Sequence, residues 1–306
     1  MRPQILGTVL TLGLVVHATA GPLSERFLIT AQSGPMSKIF VVRRDGRDWH
    51  RLTDQVGSEA DAAYSPARGE VYYRKLVRNN WELAAWNLER REERFLHRHL
   101  ALERQPVPSP DGNLLAFTSN RYGNDEIMLL RLDQPDAEPV RLTWDQGQNS
   151  NPDWAPDGKN LVFASRRNGQ SDLYAVNVET GDERRLTNSN QDEVDPRWSP
   201  DGQKILFQTT RTRYSQGLVG VLDLHSGDSS YFPELGGSAH QPGWSPDGNT
   251  ILYLDYRSPR TPTSPALMLF SLSAREKEPV VLYRREFELT QWSFRQASWN
   301  VAGLGL

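Results

Sequence analysis

Between residues 151 and 191 the chain alternates short apolar runs with turn residues, and the runs have the length and composition of strands. Pro152-Asp153-Trp154 leads into Ala155-Pro156-Asp157-Gly158. In that turn proline sets φ, the aspartate bonds locally and glycine supplies the left-handed position of a tight hairpin. Leu161-Val162-Phe163-Ala164 predicts a second strand, and Leu173-Tyr174-Ala175-Val176-Asn177-Val178 a third. Both are rich in apolar, β-branched and aromatic residues and end at Gly, Asn or Ser. After the turn at Glu179-Thr180-Gly181-Asp182, the polar stretch Arg184-Arg185-Leu186-Thr187 predicts a fourth, outer strand. The unit is a four-stranded antiparallel meander of about 45 residues.

The unit recurs. Ser109-Pro110-Asp111-Gly112, Ser199-Pro200-Asp201-Gly202 and Ser245-Pro246-Asp247-Gly248 repeat the turn, with a worn copy at Ser65-Pro66-Ala67-Arg68-Gly69. The turn prolines fall 44, 46, 44 and 46 residues apart. One such unit cannot cover both of its faces, so neighbours must stack around an axis. Trp154, Trp198 and Trp244, with Tyr64 and Pro108 at the same place in the other copies, are the expected wedges between units.

The ends decide the count. Residues 27–53 align with 161–187: Arg51-Leu52-Thr53 matches Arg185-Leu186-Thr187, and Ile39-Phe40 matches Leu173-Tyr174. That stretch supplies a second, third and fourth strand but no first, and Gln296-Ala297-Ser298-Trp299-Asn300 resembles the missing lead-in. The expected fold is all-β, a six-bladed β-propeller. Its blades lie near 58–101, 102–147, 148–191, 192–237 and 238–290, and the sixth is shared by 25–57 and 291–306. Pairing of the N-terminal and C-terminal strands closes the ring, which removes free edges.

Composition adds a destination. Arg2, the apolar run over 5–16 and Ala18-Thr19-Ala20 read as a secretory signal peptide over residues 1–20, too short to span a bilayer. Residues 21–306 are then one exported domain, periplasmic or secreted, and a monomer is expected. The chain has no cysteine, so neither a disulfide nor a lipid-modified cysteine is expected. A net charge of -3 without a basic tract speaks against nucleic acid and membrane insertion.

Candidate chemistry gathers on one face. In a four-stranded blade the loops joining the second and third strands lie on the same face as the blade-to-blade connections. The innermost strand starts there, at the channel mouth. The residue before each lead-in proline position faces that mouth: Asp61, Gln105, Asn151, Asp195, Gln241 and Gln296. A wet channel needs polar walls in any case, so this ring reads both as wall and as ligand surface. Calcium, which wants several oxygens, is a candidate where Asn151 and Asp195 converge. The loop between strands two and three repeats arginine at Arg121, Arg167, Arg211 and Arg257. An acid lies five residues on in two copies, Glu126 and Asp172, and an ion pair across the hairpin is expected there. Arg211, Arg213 and Tyr214, with Arg257, lack that acid and are candidates for partner contact. His240 adjoins the ring. His97 and His99 share one face of a strand without a third ligand, which reads as a solvated edge. No nucleophile elbow, phosphate loop or zinc spacing occurs, so no catalytic residues are assigned and no cofactor is expected beyond that calcium.

The order Pro-x-Trp-Ser-Pro-Asp-Gly, then Ser-x-Arg-x-Gly, then Leu-Tyr, then Arg-Leu-Thr resembles the propeller repeats of TolB, the periplasmic component of the Tol-Pal envelope system. The resemblance covers nearly all of the chain after the leader. TolB carries an α/β domain before its propeller; here a blade strand follows the leader directly. The resemblance implies a non-enzymatic propeller holding a protein partner at its mouth face, the peptidoglycan-associated lipoprotein or another envelope protein. The alternative is a propeller enzyme, lyase or lactonase-like, acting on a small substrate in the channel. That chemistry calls for clustered histidine and acidic ligands, and a ring of four amides and two aspartates favours binding. Related repeats also occur in propellers attached to serine peptidases, but the repeats here run to the last residues, so no peptidase activity is expected.

Overall fold

The structure is a computed structural model that describes residues 12–15, 26–33, 36–43, 50–53, 56–134, 137–145, 147–210, 217–235, 239–255, 266–279 and 298–299. Six antiparallel sheets follow one another along the chain, five of them four-stranded meanders within 59–95, 103–141, 149–185, 192–231 and 239–279. The third blade is representative, with strands Asn149–Trp154, Asn160–Ser165, Asp172–Asn177 and Glu183–Arg185.

The sixth sheet closes the ring from both ends of the chain. Trp299 pairs with Phe27 and Ser298 with Leu28, in the register by which Trp154 faces Leu161 and Asp153 faces Val162 in the third blade. The expected closure is therefore present. Residues Leu12–Val15 also pair with this strand, along Leu28–Ala31, and occupy the mouth-side half of the innermost position.

The core lies between blades. Trp154, Leu161, Phe163, Tyr174 and Val176 of the third blade pack on Val107, Ala116 and Ile127 of the second, and Tyr64 and Trp86 of the first pack on Ile39 and Val41 of the closing blade. Burying one such side chain contributes about 1.5–3 kcal/mol. Two of the wedges also spend their polar atoms backwards around the ring. Trp154 Nε1 donates to Val107 O at 3.0 Å and Trp244 Nε1 to Arg197 O at 3.2 Å.

The repeated polar residues have local duties. Ser199 Oγ donates to Asp201 Oδ1 at 2.6 Å and accepts from Lys204 N at 2.9 Å, while Asp201 Oδ1 accepts from Gln203 N at 3.0 Å. Ser109 with Asp111, and Ser245 with Asp247, repeat the pattern. In the Arg-Leu-Thr stretch the threonine hydroxyl caps the third strand: Ile127 N donates to Thr143 Oγ1 at 3.0 Å and Leu173 N to Thr187 Oγ1 at 2.9 Å.

The expected hairpin ion pairs are replaced by others. Arg121 pairs with Glu103, and Glu126 is held by Arg141. Arg167 reaches Asp145 and Glu183, each at 2.8 Å, and Arg185 holds Asp172 at 2.6 Å. Register is the reason. Ser119 faces Glu103 on the first strand, so Arg121, two residues on, turns inward, and the acid that opens the third strand meets the arginine of the fourth.

Candidate functional site

The five mouth residues within the described chain share one backbone feature. Asp61, Gln105, Asn151, Asp195 and Gln241 have φ of 55°, 55°, 57°, 50° and 50°, left-handed values in residues that are not glycine. Each opens a bulge in which two residues oppose one. Asp61-Ala62 faces Tyr73, Gln105-Pro106 faces Phe117, Asn151-Pro152 faces Phe163, Asp195-Pro196 faces Phe207, and Gln241-Pro242 faces Tyr253. All five opposed aromatics are fully buried. The bulge explains the proline, because the extra residue is unpaired and loses no ladder hydrogen bond. A left-handed non-glycine costs about 1–3 kcal/mol and persists where surroundings hold it.

What holds it runs around the ring. Gln105 N donates to Asp61 Oδ2 at 3.2 Å, and Asn151 N donates to Gln105 Oε1 at 3.0 Å. Asn151 Nδ2 donates to Asp195 Oδ1, and Gln241 N donates to Gln208 Oε1 at 3.2 Å. Arg74 Nε lies 2.9 Å from Asp61 Oδ2, and Thr118 Oγ1 donates to Gln105 Oε1 at 2.9 Å. At Gln105, Asn151 and Gln241 the left-handed turn points the N–H at the preceding blade, whose side chain accepts it. Asn151 and Asp195 do meet, but through an amide N–H, so an ion between them requires the Asn151 amide to turn over.

The ring is least closed on one side. Gln241 Oε1 is buried and accepts no hydrogen bond among the described residues. His240 Nδ1 lies 3.0 Å from Gln208 Nε2, and burial holds its imidazole below the usual range against Asp195 and Asp255. Burial likewise raises the Asp195 carboxyl, against the opposing pull of Arg197 and His240. Among the described residues no three His, Asp or Glu side chains converge as metal ligands. Gln296, Arg211, Arg213, Tyr214 and Arg257 lie outside the described residues.

Farther out on the same face is a group that the repeat pattern did not single out. The Arg141 guanidinium sits 4.9 Å from the ring centre of Tyr122 and 4.6 Å from that of Trp144. Tyr122 is 54% exposed, Trp144 72% and Leu100, on the preceding blade-to-blade connection, 93%. Its signal in the sequence is a departure between copies: Arg-Leu-Thr is followed by Asp54 and Asn188 elsewhere, and by Trp144 here.

The TolB beta propeller domain family matches residues 69–296. The chain belongs to that family. The Tol-Pal system protein TolB of Anaeromyxobacter dehalogenans is 27% identical over 181 residues, 56% of this chain and 40% of that protein. The crystal structure of TolB from Acinetobacter baumannii superposes with a TM-score of 0.70 at 20% identity, over 90% of this chain and 66% of that one. An oligogalacturonate lyase from Vibrio parahaemolyticus superposes with a TM-score of 0.62 at 12% identity, over 89% of this chain and 78% of that one. At these identities the two structures share the fold. The chain spans less than two thirds of the length of either TolB, and in the TolB propeller family its bulged ring and tryptophan wedges are the parts that this geometry explains.

Proposed function

We infer that the protein is an exported, non-enzymatic propeller that binds a protein partner at the mouth face. The signal peptide over 1–20 takes it to the periplasm, and the partner is an envelope protein of the kind TolB serves, the peptidoglycan-associated lipoprotein first among them. The observation that carries the reading is the exposed Tyr122–Arg141–Trp144 stack on the same face as the ring of left-handed polar residues. Tyrosine, tryptophan and arginine are the residue types that anchor interfaces, and clustered exposed aromatics mark binding surfaces.

A second reading rests on one specific feature. Asp195, its carboxyl raised by burial, and His240, its imidazole lowered by burial, feel each other's charge at the mouth, and an acid and an imidazole whose affinities for a proton are drawn towards each other are also how a channel site moves protons. Under that reading the protein turns over a small substrate there, as a lyase or lactonase would. Calcium at Asn151 and Asp195 belongs to either reading.

Calorimetric titration of the purified protein with purified peptidoglycan-associated lipoprotein tests the first reading. Asp195→Ala with Arg213→Ala should weaken binding by more than about 1 kcal/mol while the fold is kept. Unchanged binding in the double variant would remove the mouth ring from the interface, and no binding by the parent protein would remove the partner.

A further inference from the structure

The turn side of the disc holds a cavity of its own. Around the ring, the position before each wedge reads Ala63, Val107, Asp153, Arg197 and Gly243. Three blades fold with a small or apolar residue there, so the charged pair on adjacent blades does nothing that the architecture requires. Removing charge from water is costly unless it is compensated.

Arg197 is only 6% exposed. Its hydrogen bond among the described residues runs from Nη1 to Pro196 O at 2.7 Å. Asp153 and Asp195 are close enough to feel its charge, but neither forms an ion pair with it. The Asp153 carboxylate is engaged by Trp198 N at 2.8 Å. Arg197 also lines a cavity of about 360 Å³ that lies between the Ser-Pro-Asp-Gly turns. That volume is within the range of small-ligand pockets. Trp154, Trp198, Trp244 and Pro110 are among its walls. Trp154 and Trp244 have spent their N–H groups on backbone carbonyls, so they turn only carbon towards the cavity. Trp198 breaks the wedge pattern, since its Nε1 is buried without an acceptor among the described residues.

We propose that this turn-side cavity binds a small organic monocarboxylate with an aromatic or apolar body, its carboxylate on the Arg197 guanidinium and its body between the tryptophan and proline walls. A guanidinium matches a carboxylate in a two-bond fork. With Asp153 beside it, the one cation can offset at most a single negative charge of a ligand, which disfavours phosphate against a monocarboxylate. The site is on the turn side of the disc, away from the partner face, and stands or falls independently of it.

The test is calorimetric titration of the full chain with phenylacetate and indole-3-acetate, alongside phenylacetamide, indole-3-acetamide and inorganic phosphate. At least one of the two carboxylates should bind saturably at one site, with its amide and phosphate far weaker. Arg197→Met, which places an apolar residue where other blades already have one, should weaken that binding about tenfold or more. Asp153→Asn should tighten it by removing a repelling charge. Opposite signs for the two variants are what a merely structural Asp153–Arg197 pair would not produce. If neither carboxylate binds, if the amides bind as well as the acids, or if Arg197→Met binds like the parent, the proposal is wrong. Melting curves of both variants confirm that each is folded when measured.

Discussion

The two faces of the disc are built from the same repeats and differ in how strictly they repeat. On the turn side, Gly158, Gly202 and Gly248 take φ of +69°, +72° and +69°, and a side chain at any of them would meet Pro110, Pro156 or Pro200 of the preceding turn. The same Ser–Asp hydrogen bonds recur turn after turn. On the mouth side the backbone repeats, with the same bulge and the same left-handed residue, while the side chains change from blade to blade. Repetition marks what the ring needs in order to close, and departure from it marks what a ligand can use. On that criterion the turn face is scaffold except at Asp153 and Arg197, and the mouth face is scaffold in its backbone and variable in its side chains.

The largest effects should come from the scaffold. Trp154→Ala removes a wedge that is 6% exposed, together with its hydrogen bond to Val107 O, and should cost about 3–5 kcal/mol in denaturant unfolding. A loss below about 1 kcal/mol would mean that the wedge positions are not what couples the blades. Deleting residues 296–306 removes the pairing of Trp299 with Phe27 and should lower the melting temperature or the solubility by exposing a strand edge. An unchanged melting curve would show that the pairing of Trp299 with Phe27 is not what closes the ring.

Next in size is a pH effect confined to the exception on the turn face. Burial raises the Asp153 carboxyl to about 7, more than the Arg197 charge and the Trp198 N–H lower it. A buried acid with a raised pKa holds its proton in the native state after the unfolded chain has released it. Stability therefore falls as pH climbs from about 4 to about 7, and is level above that. Asp153→Asn should remove this slope and gain up to about 3–4 kcal/mol over the parent at pH 8, with little difference near pH 4. Glu103, also raised to about 7 by burial against Arg121, titrates in the same window but is common to both proteins. Parallel stability curves for parent and variant would show that Asp153 is not the acid responsible.

Smaller again is the loss of one turn. Asp201→Ala removes the acceptor of Ser199 Oγ and Gln203 N and should cost roughly 1 kcal/mol. Those same hydrogen bonds hold the carboxyl below its usual range, Ser199 contributing most. The contribution is present at neutral pH and is lost as pH falls below about 4. Partner binding should be unaffected, and its loss in a fully stable Asp201→Ala protein would place the working surface on the turn face.

The strand order, blade count and closure were legible because each depends on residues with one strong local meaning. Proline and glycine at fixed spacing, an apolar run between them and a tryptophan ahead are enough to define a blade. The bulges were less visible. Their cause is a pair of facts separated in sequence, a polar-proline dipeptide and a buried aromatic such as Phe163 in the following strand, which only register brings together. The ion pairs were misread for the same reason: Arg121 and Glu126 are close in sequence, but the fold sends them to Glu103 and Arg141. Arg197 and Asp153 were hidden because a charged residue in a short strand reads as solvent-facing, and only ring closure sets these two against the cavity between the turns.

The smallest effect on stability should accompany a clear effect on binding. Tyr122 and Trp144 are exposed at 54% and 72%, so truncating both should change unfolding free energy by less than about 0.5 kcal/mol, the usual range for surface positions. Arg141 would keep its bonds to Glu126 and Thr143 O, so the strand end beneath stays in place. The same double variant removes both aromatic faces that flank the guanidinium and should weaken partner binding by more than about 1 kcal/mol. Calorimetry with the envelope partner and a denaturant curve on the same preparation separate the two quantities. Undiminished binding would mean that these aromatics are unused surface and that the partner, if it sits on this face, is held by the channel-mouth ring alone.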